Sequence, residues 1–396
     1  MITITDTEAL ARFCASLEGA AFVTVDTEFM RERTYWPVLC LVQLGGPDEA
    51  AIVDAMAEGL DLAPLFQFLN ESPTLKVFHA ARQDIEIFHH LSGFIPTPVF
   101  DTQIAAMVCG FGESVGYETL VTKLAKARID KSMRFTDWSH RPLSEKQMQY
   151  ALSDVTHLRV AYEKLAQRLE RTGRAHWLEE EITTMTTPGT YVVEPEDAWR
   201  RIKVRGGKPR FLAILKELAA WRESTAQKRD VPRSRVMRDD MLLDIAARAP
   251  QTEADLSRTR SVGRSGLPAQ VVGDVLAAVK RGRAIPEAEC PVIPEREQLP
   301  RGMGPLVDLF KVLLKMKCDH EDVAQKLIAS SADLEAVAAS DDADVPALKG
   351  WRREVFGDDA IGLKHGRIAL AADGGAIRLM RLDGKDAGAT AESAAG

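Results

Sequence analysis

Residues 21–29 read AFVTVDTEF, and this stretch decides the fold expected for the first half of the chain. A short β-rich run at 21–25 leads directly into Asp26, Thr27 and Glu28. Side chains two residues apart on a strand project from the same face, roughly 6–7 Å apart along the chain. Two carboxylates placed in this way can share one divalent cation or bridge two. Acidic pairs at strand ends also occur without a metal, so the motif gains meaning only from partners elsewhere.

The surrounding pattern predicts an α/β domain. Short β-rich runs at 21–25, 39–44 and 50–53 are separated by turn signals rich in glycine and proline. Connections this short favour an antiparallel meander. A further strand is expected at 75–78, and helical patterns follow it. Strands first and helices interleaved afterwards predict a mixed sheet with helices packed on its faces.

A second motif, HAARQD, follows the expected strand 75–78 and contains His79 and Asp84. Asp84 falls where a helix is expected to begin. The ordinary role of an aspartate at that place is to cap the helix N-terminus, and that role alone would account for it. His79 taken alone is more typical of a satisfied core or surface histidine than of a ligand.

A third motif, YALSD, carries Tyr150 and Asp154 inside a predicted helix. The sequence SEKQ at 144–147 is a capping box that opens this helix. Positions four residues apart lie on one helical face, about one turn from each other. The pair can therefore act together, or it can simply solvate the border of the apolar stripe.

Asp26, Glu28, Asp84 and Asp154 would repel one another strongly if they met at one point, unless cations lay between them. Oxygen ligands with no cysteine at hand select Mg²⁺ or Mn²⁺ over zinc. Two such ions about 4 Å apart are a known solution for in-line attack on a phosphodiester. The combination therefore predicts a two-metal phosphodiesterase.

These motifs, in this order, resemble the DEDD exonuclease superfamily, in the branch whose third motif carries tyrosine (DEDDy). The resemblance covers residues 1–170 and includes FDT at 100–102. It implies a ribonuclease H-like exonuclease fold and 3′→5′ exonuclease activity. It also implies that Asp26, Glu28 and Asp154 bind the metal that activates water, and that Asp26 and Asp84 hold a second one.

The resemblance further implies that Tyr150 orients the attacking water, since its reference pKa near 10 suits positioning better than proton abstraction. Glu28 and the backbone around Thr27 and Phe29 would contact the terminal 3′-hydroxyl. His79 stands where polymerase proofreading domains carry asparagine, which leaves its contact open.

The segment at 30–36, MRERTYW, joins the first two strands. Its cations and rings, Arg31, Arg33, Tyr35 and Trp36, are expected to bind a splayed RNA 3′ end by phosphate contact and base stacking. The alternative is a hairpin whose aromatic rings close the core.

The net charge of −7 hides a basic block, because residues 200–285 contain 20 Lys/Arg and 9 Asp/Glu. Such a block is typical of a phosphate-docking surface, although a solvated helical surface has the same composition. Within it, Arg201, Lys203, Arg205 and Lys208 are expected to make non-specific, salt-sensitive phosphate contacts.

The remaining chain reads as two small all-α units. Residues 208–287 resemble the HRDC module of some helicases and ribonucleases, and residues 304–372 resemble a divergent second copy. The expected boundaries are an exonuclease domain at 1–175, linkers at 176–207 and 288–303, and a tail at 373–396. This layout resembles the bacterial ribonuclease D family, which implies a cytoplasmic enzyme acting on RNA 3′ ends, with tRNA precursors as substrates.

Several classes are disfavoured. No stretch approaches the apolar length of a membrane span, the N-terminus lacks a secretory pattern, and no obligate protein partner is expected. The five cysteines are scattered without metal-ligand spacing and are expected to be reduced. Two competing functions stay open: a 3′→5′ DNA exonuclease of repair type, and an RNA-binding scaffold without turnover.

Overall fold

The computed structural model describes residues 2–133, 136–204, 206–262, 266–293, 300 and 302–382. The chain folds into an N-terminal α/β domain and two helical regions. None of the described helices is long and apolar enough to cross a membrane. All five cysteines are buried, and none forms a disulfide.

The N-terminal domain is built on a six-stranded mixed sheet with the order β1-β4-β3-β2-β5-β6. The central strands β2, β3 and β4 form the predicted antiparallel meander, whereas the outer pairs are parallel. The strand bounds are β1 Ile2–Ile4, β2 Phe22–Met30, β3 Val38–Gly45, β4 Ala50–Asp54, β5 Leu75–Phe78 and β6 Val99–Asp101.

Helices cover both faces of this sheet, which confirms the predicted mixed sheet flanked by helices. On one face the core includes Leu10, Leu65 and Phe88, contributed by three different helices. The long helix α6 crosses the other face. The helices are α1 Thr7–Leu17, α2 Ala63–Glu71, α3 Arg82–Ser92, α4 Thr102–Val108, α5 Tyr117–Leu124, α6 Glu145–Thr172 and α7 Glu179–Met185.

The first helical region has a core of its own, in which Leu215, Leu242 and Val275 are inaccessible to solvent. On its first helix Leu212, Leu215 and Leu218 pack inward, whereas Phe211 and Trp221 are only partly buried. The region comprises α8 Pro209–Arg229, α9 Arg233–Val236, α10 Asp239–Arg248, α11 Glu253–Ser257 and α12 Ala269–Ala284.

The second helical region shares a continuous core with the N-terminal domain instead of standing apart. Phe310 packs in the same cluster as Leu165 of α6, and the indole of Trp351 stacks on Trp177 with ring centroids 4.1 Å apart. The region comprises α13 Gly304–Glu321, α14 Gln325–Ile328, α15 Ser331–Ala339, α16 Gly350–Arg352, a π-helical turn at Arg353–Gly357 and α17 Asp358–Lys364.

A β-hairpin follows the second helical region. Strands β7 Ile368–Asp373 and β8 Ala376–Arg381 pair antiparallel. The expected domain boundary at 372 therefore falls inside a hairpin, because the Gly374-Gly375 pair makes a tight turn and does not open a tail. The rest of the expected tail, residues 383–396, lies outside the described residues.

Candidate active site

Strand β2 carries Asp26 and Glu28 within the sheet, because the strand extends to Met30 and does not end at residue 25. On one side β2 pairs with β3 from Thr24 to Met30. On the other side it pairs with β5 only from Phe22 to Thr24. The second half of β2 therefore extends beyond its pairing with β5. The space left beside Asp26 and Glu28 can be occupied by side chains from the helices.

Helix α6 supplies Tyr150 and Asp154. Its N-terminus has the predicted capping box, with Ser144 and Gln147 bonded reciprocally. Side-chain hydrogen bonds fix the helix on the sheet, since the Thr24 hydroxyl donates to the Val155 carbonyl at 2.8 Å. Because Thr24 and Asp26 share a face of β2, this bond brings Asp154 over the acidic pair.

The structure brings Asp26, Glu28 and Asp154 together. One carboxylate oxygen from each lies within 4.8 Å of the others. Asp154 is 6% exposed, and its Oδ1 has no hydrogen-bond partner among the described residues. An all-oxygen donor set with an unpaired buried carboxylate oxygen fits a hard divalent cation such as Mg²⁺ or Mn²⁺.

Asp84 reaches the cluster from α3. This helix begins at Arg82 with Ala81 as its N-cap, so Asp84 lies within the first turn and is not the cap that the sequence suggested. Its Oδ1 accepts a hydrogen bond from the Thr27 hydroxyl. Thr27 therefore links Asp84 to the strand that carries Asp26 and Glu28.

The electrostatics of the cluster call for positive charge. Burial, followed by the charges of Asp26, Asp154 and Asp84, raises the pKa of Glu28 to about 10. Burial and the charge of Asp26 raise the pKa of Asp154 to about 9 and that of Asp84 well above its usual value. Burial also raises the pKa of Asp26 to about 6. A bound cation would offset this desolvation and repulsion and keep the carboxylates ionised.

A cavity of about 200 Å³ opens over the carboxylates and is also lined by Tyr150 and His79. Burial, and then the charge of Asp154, raises the pKa of the Tyr150 phenol, so its proton is retained at neutral pH. His79 Nδ1 lies 3.0 Å from the Thr102 hydroxyl, whereas Nε2 is buried without a partner among the described residues. Burial lowers the pKa of His79, which favours the neutral ring.

Tyr117, at the start of α5, lines the same cavity and was not singled out from the sequence. Its hydroxyl donates to the Asp154 carbonyl, and its ring centroid lies 5.4 Å from that of His79. No local motif marks this tyrosine, because only the packing of α5 on α6 brings it to the site.

The predicted substrate-binding segment after β2 is held by α3. Arg31 forms a two-pronged ion pair with Glu86, with N–O distances of 3.3–3.4 Å. The indole of Trp36 stacks on His90 with centroids 4.0 Å apart. Phe29 packs against the apolar core. Among these predicted residues, Arg33 is the exposed one, with no ion pair to any described residue.

Tyr35 makes contact with the first helical region, and its role as a stacking platform for RNA stays a prediction. Its hydroxyl bonds to Glu223, Gln227 and Arg233. The Arg233 guanidinium lies 4.8 Å from the Tyr35 ring centroid. The backbone N–H groups of Tyr35 and Trp36 both donate to Asp230 Oδ1 at 3.0 Å. Because its ring contacts Arg233 and its hydroxyl is hydrogen-bonded, Tyr35 connects the N-terminal domain to the first helical region.

The predicted phosphate-contacting residues lie before and at the start of α8. Arg201, Lys203 and Lys208 are exposed, with no ion pair among the described residues. Arg205 lies outside the described residues. These cations are available for a polyanion, and none of the three described ones lines the cavity over the carboxylates.

Comparison with known proteins identifies the family. A family of 3′-5′ exonucleases matches residues 1–170, and the HRDC domain matches residues 211–279. Ribonuclease D of Granulibacter bethesdensis is 50% identical over 378 residues, which cover 95% of this chain and 96% of that protein. The chain belongs to the ribonuclease D family. Ribonuclease D of Nitrobacter hamburgensis is also 50% identical, over 97% of this chain and all of that protein.

A solved ribonuclease D has the same architecture. The crystal structure of Escherichia coli RNase D, described as an exoribonuclease involved in structured RNA processing, matches with a TM-score of 0.78 and 30% identity. The match covers 92% of this chain and 98% of that one. The similarity to ribonuclease D thus includes the helical regions as well as the exonuclease domain. The HRDC match establishes one such domain, where the sequence pattern predicted two.

Proposed function

We propose that this protein is a metal-dependent 3′→5′ exoribonuclease that releases nucleoside 5′-monophosphates from RNA 3′ ends. One observation carries the proposal: carboxylate oxygens of Asp26, Glu28 and Asp154 converge within 4.8 Å in a half-buried cluster, in a chain of the ribonuclease D family. Asp84 adjoins them through Thr27. This is the donor set that a phosphodiesterase with two metal ions needs.

The carboxylates would hold the cations. Asp26, Glu28 and Asp154 are the proposed ligands of one ion, and Asp26 and Asp84 of a second, with Asp84 acting directly or through water. When bound, two divalent cations supply Lewis-acid activation of the attacking water and charge stabilisation of the leaving oxygen. Mg²⁺ and Mn²⁺ both suit this oxygen-only donor set.

The remaining site residues would position the reactants. Tyr150 keeps its proton at neutral pH and can orient the attacking water by hydrogen bonding, without acting as its base. Glu28 and the backbone at Thr27 and Phe29 are the proposed contacts of the terminal 3′-hydroxyl, which would give exonucleolytic specificity. His79 lines the same cavity, and its ring can contact the terminal nucleotide.

Three finer assignments belong to this proposal. The substrates would be RNA 3′ ends, tRNA precursors among them, and the reaction would take place in the cytoplasm. The second helical region would be a divergent HRDC domain, which its size and its run of short helices support. Arg33, Arg201, Lys203 and Lys208 would contact RNA phosphates because they are exposed and form no ion pair with any described residue.

The proposal is tested with 5′-labelled RNA and DNA strands of equal sequence, incubated with Mg²⁺, with Mn²⁺ or with chelator. We expect a metal-dependent ladder that shortens from the 3′ end, faster on RNA. Asp26→Asn is expected to abolish the ladder and to retain RNA binding. The matched variant Asp48→Asn, on an exposed turn, should keep full activity.

Faster cleavage of DNA would replace the proposal with a repair-type exonuclease. The absence of a ladder with either metal would leave an RNA-binding protein. An active Asp26→Asn variant would refute the site assignment.

A further inference from the structure

A cavity of about 510 Å³ lies in the first helical region, away from the carboxylate cluster. It is bounded by the second half of α8, the segment before α8, and the beginning of α9 and α10. Four arginines line it: Arg201, Arg222, Arg233 and Arg238. We call it the Arg222 cavity, after the most deeply buried of the four arginines.

Arg222 presents an unsatisfied edge. The residue is 4% exposed, and its Nη1 donates to the Met237 carbonyl at 3.1 Å and to Asp239 at 2.5 Å. Its Nε is buried with no partner among the described residues, and no hydrogen bond from its Nη2 to them is found either. The Nε–Nη2 edge is the fork with which arginine binds oxyanions in a two-pronged manner. A buried donor without a partner destabilises the fold, so this edge favours a ligand.

The other charges around the cavity are mostly matched, and the excess is positive. Glu223 is 1% exposed and is bound by Arg233 through two nitrogens, at 2.6 and 2.7 Å. Asp239 is bound by Arg222. Asp240 lies in the first turn of α10, where the helix dipole favours a negative charge. Arg201 and Arg238 are exposed and form no ion pair with any described residue.

We propose that the Arg222 cavity binds a backbone phosphate of the RNA substrate, with the Arg222 fork on the phosphate oxygens and Arg201 and Arg238 at the rim. The proposal rests on the proposed function, because it assigns the polyanion to the RNA being trimmed. Its position supports an RNA source over a free anion. Glu223 and Arg233 in its wall also bond to Tyr35, on the segment that continues strand β2, so the cavity adjoins the exonuclease domain.

The test removes the rim charges and leaves the buried wall intact. Binding of a 5′-labelled single-stranded RNA to the full-length protein is measured in chelator, at a series of KCl concentrations. The double variant Arg201→Gln/Arg238→Gln is expected to bind about tenfold more weakly. Its plot of log affinity against log salt should be shallower by about one unit per arginine. The matched control Arg260→Gln/Lys280→Gln removes two exposed charges elsewhere in the same region and should bind more nearly like the wild type.

A second variant, Arg222→Lys, keeps the charge and removes the fork. It should weaken RNA binding with little change in the salt slope, and circular dichroism checks that it is folded. Binding of both variants at wild-type affinity overturns the proposal. A second outcome would also overturn it. If millimolar inorganic phosphate raises the melting temperature of the wild type but not of Arg222→Lys, while both bind RNA equally, the cavity holds a free anion. These outcomes are independent of the hydrolysis assay, whose failure would count against the proposed function instead.

Discussion

Gln43 carries a buried amide that no described residue satisfies. It is inaccessible to solvent, and neither its Nε2 nor its Oε1 has a hydrogen-bond partner among the described residues. Gln43 pairs directly with Asp26 across β2 and β3, so both side chains lie on the face that α6 covers. A polar group buried without a partner lowers the stability of the fold.

Gln43→Met is therefore expected to raise the free energy of unfolding by about 1–3 kcal/mol, since methionine fills a similar volume without polar atoms. The measurement is thermal unfolding in chelator. Gln149→Met is the control, because that amide is exposed and bonded to Glu145. A lower melting temperature for Gln43→Met would show that ordered water already satisfies the amide.

Lys76 is a second buried polar residue, inaccessible to solvent in strand β5. Its Nζ donates to the carbonyls of Ser72 and Thr97 at 2.5 Å. Burial lowers the pKa of Lys76 from 10.5 to about 8. Between these two pH values the unfolded chain holds a proton that the folded protein has released, so rising pH favours the folded state.

We expect the wild type to gain stability relative to Lys76→Met as the pH rises from 8 to 10.5. The measurement is the difference in melting temperature between the two proteins at several pH values, which cancels the effects of other groups. A difference that is constant over this range would mean that Lys76 stays charged in the fold.

At the scale of elements, helix α6 joins the sheet to the second helical region and carries two site residues. The capping box at Ser144 satisfies the backbone N–H groups at its beginning. Ser144→Ala should lower the free energy of unfolding by about 1 kcal/mol and change hydrolysis little, because packing holds the rest of the helix. Ser331→Ala, one position inside the cap of α15, is the contrast and should be close to neutral. Equal melting temperatures for both variants would contradict the capping role.

The elements show why sequence patterns predict some parts of this fold and not others. The meander and α6 were predictable because apolar periodicity and the capping box are local signals. Strands β1 and β6 have three residues each, too few to show alternation. Hairpin β7–β8 was missed although Gly374-Gly375 is a turn signal, since the surrounding Gly- and Ala-rich composition is also typical of a tail.

The same distinction applies to the candidate site. Asp26, Glu28 and the pair on α6 stand in short motifs that can be recognised without a structure. Tyr117 reaches the cavity only through the packing of two helices. Tyr35 is predicted to stack on RNA because aromatic rings among cations suit stacking, whereas no local motif marks its contact with Asp230, 195 positions away in the sequence.

At the scale of the whole molecule, Tyr35 ties the first helical region to the strand that carries Asp26. Tyr35→Phe keeps the ring and removes the hydroxyl shared by Glu223, Gln227 and Arg233. We expect faster amide hydrogen exchange at residues 31–36 and 223–230, because the loss leaves the buried Glu223 with fewer partners.

Tyr162→Phe is the control for this variant, since no hydrogen bond from the Tyr162 hydroxyl is found among the described residues. Unchanged amide hydrogen exchange in Tyr35→Phe would mean that the contacts of Arg233 and Asp230 are sufficient to hold the first helical region on the N-terminal domain.

The core shared by Leu165, Phe310 and Trp351 means that the chain returns to the domain from which it started. The first helical region is therefore covalently connected at both ends to a single unit, formed by the N-terminal domain and the second helical region. If its contacts with Tyr35 break, it cannot diffuse away, and its recapture is an intramolecular event at high effective concentration. A single backbone cut between α12 and α13 would leave the two fragments associated through the shared core. The first helical region would then be connected to the rest of the protein at one end only.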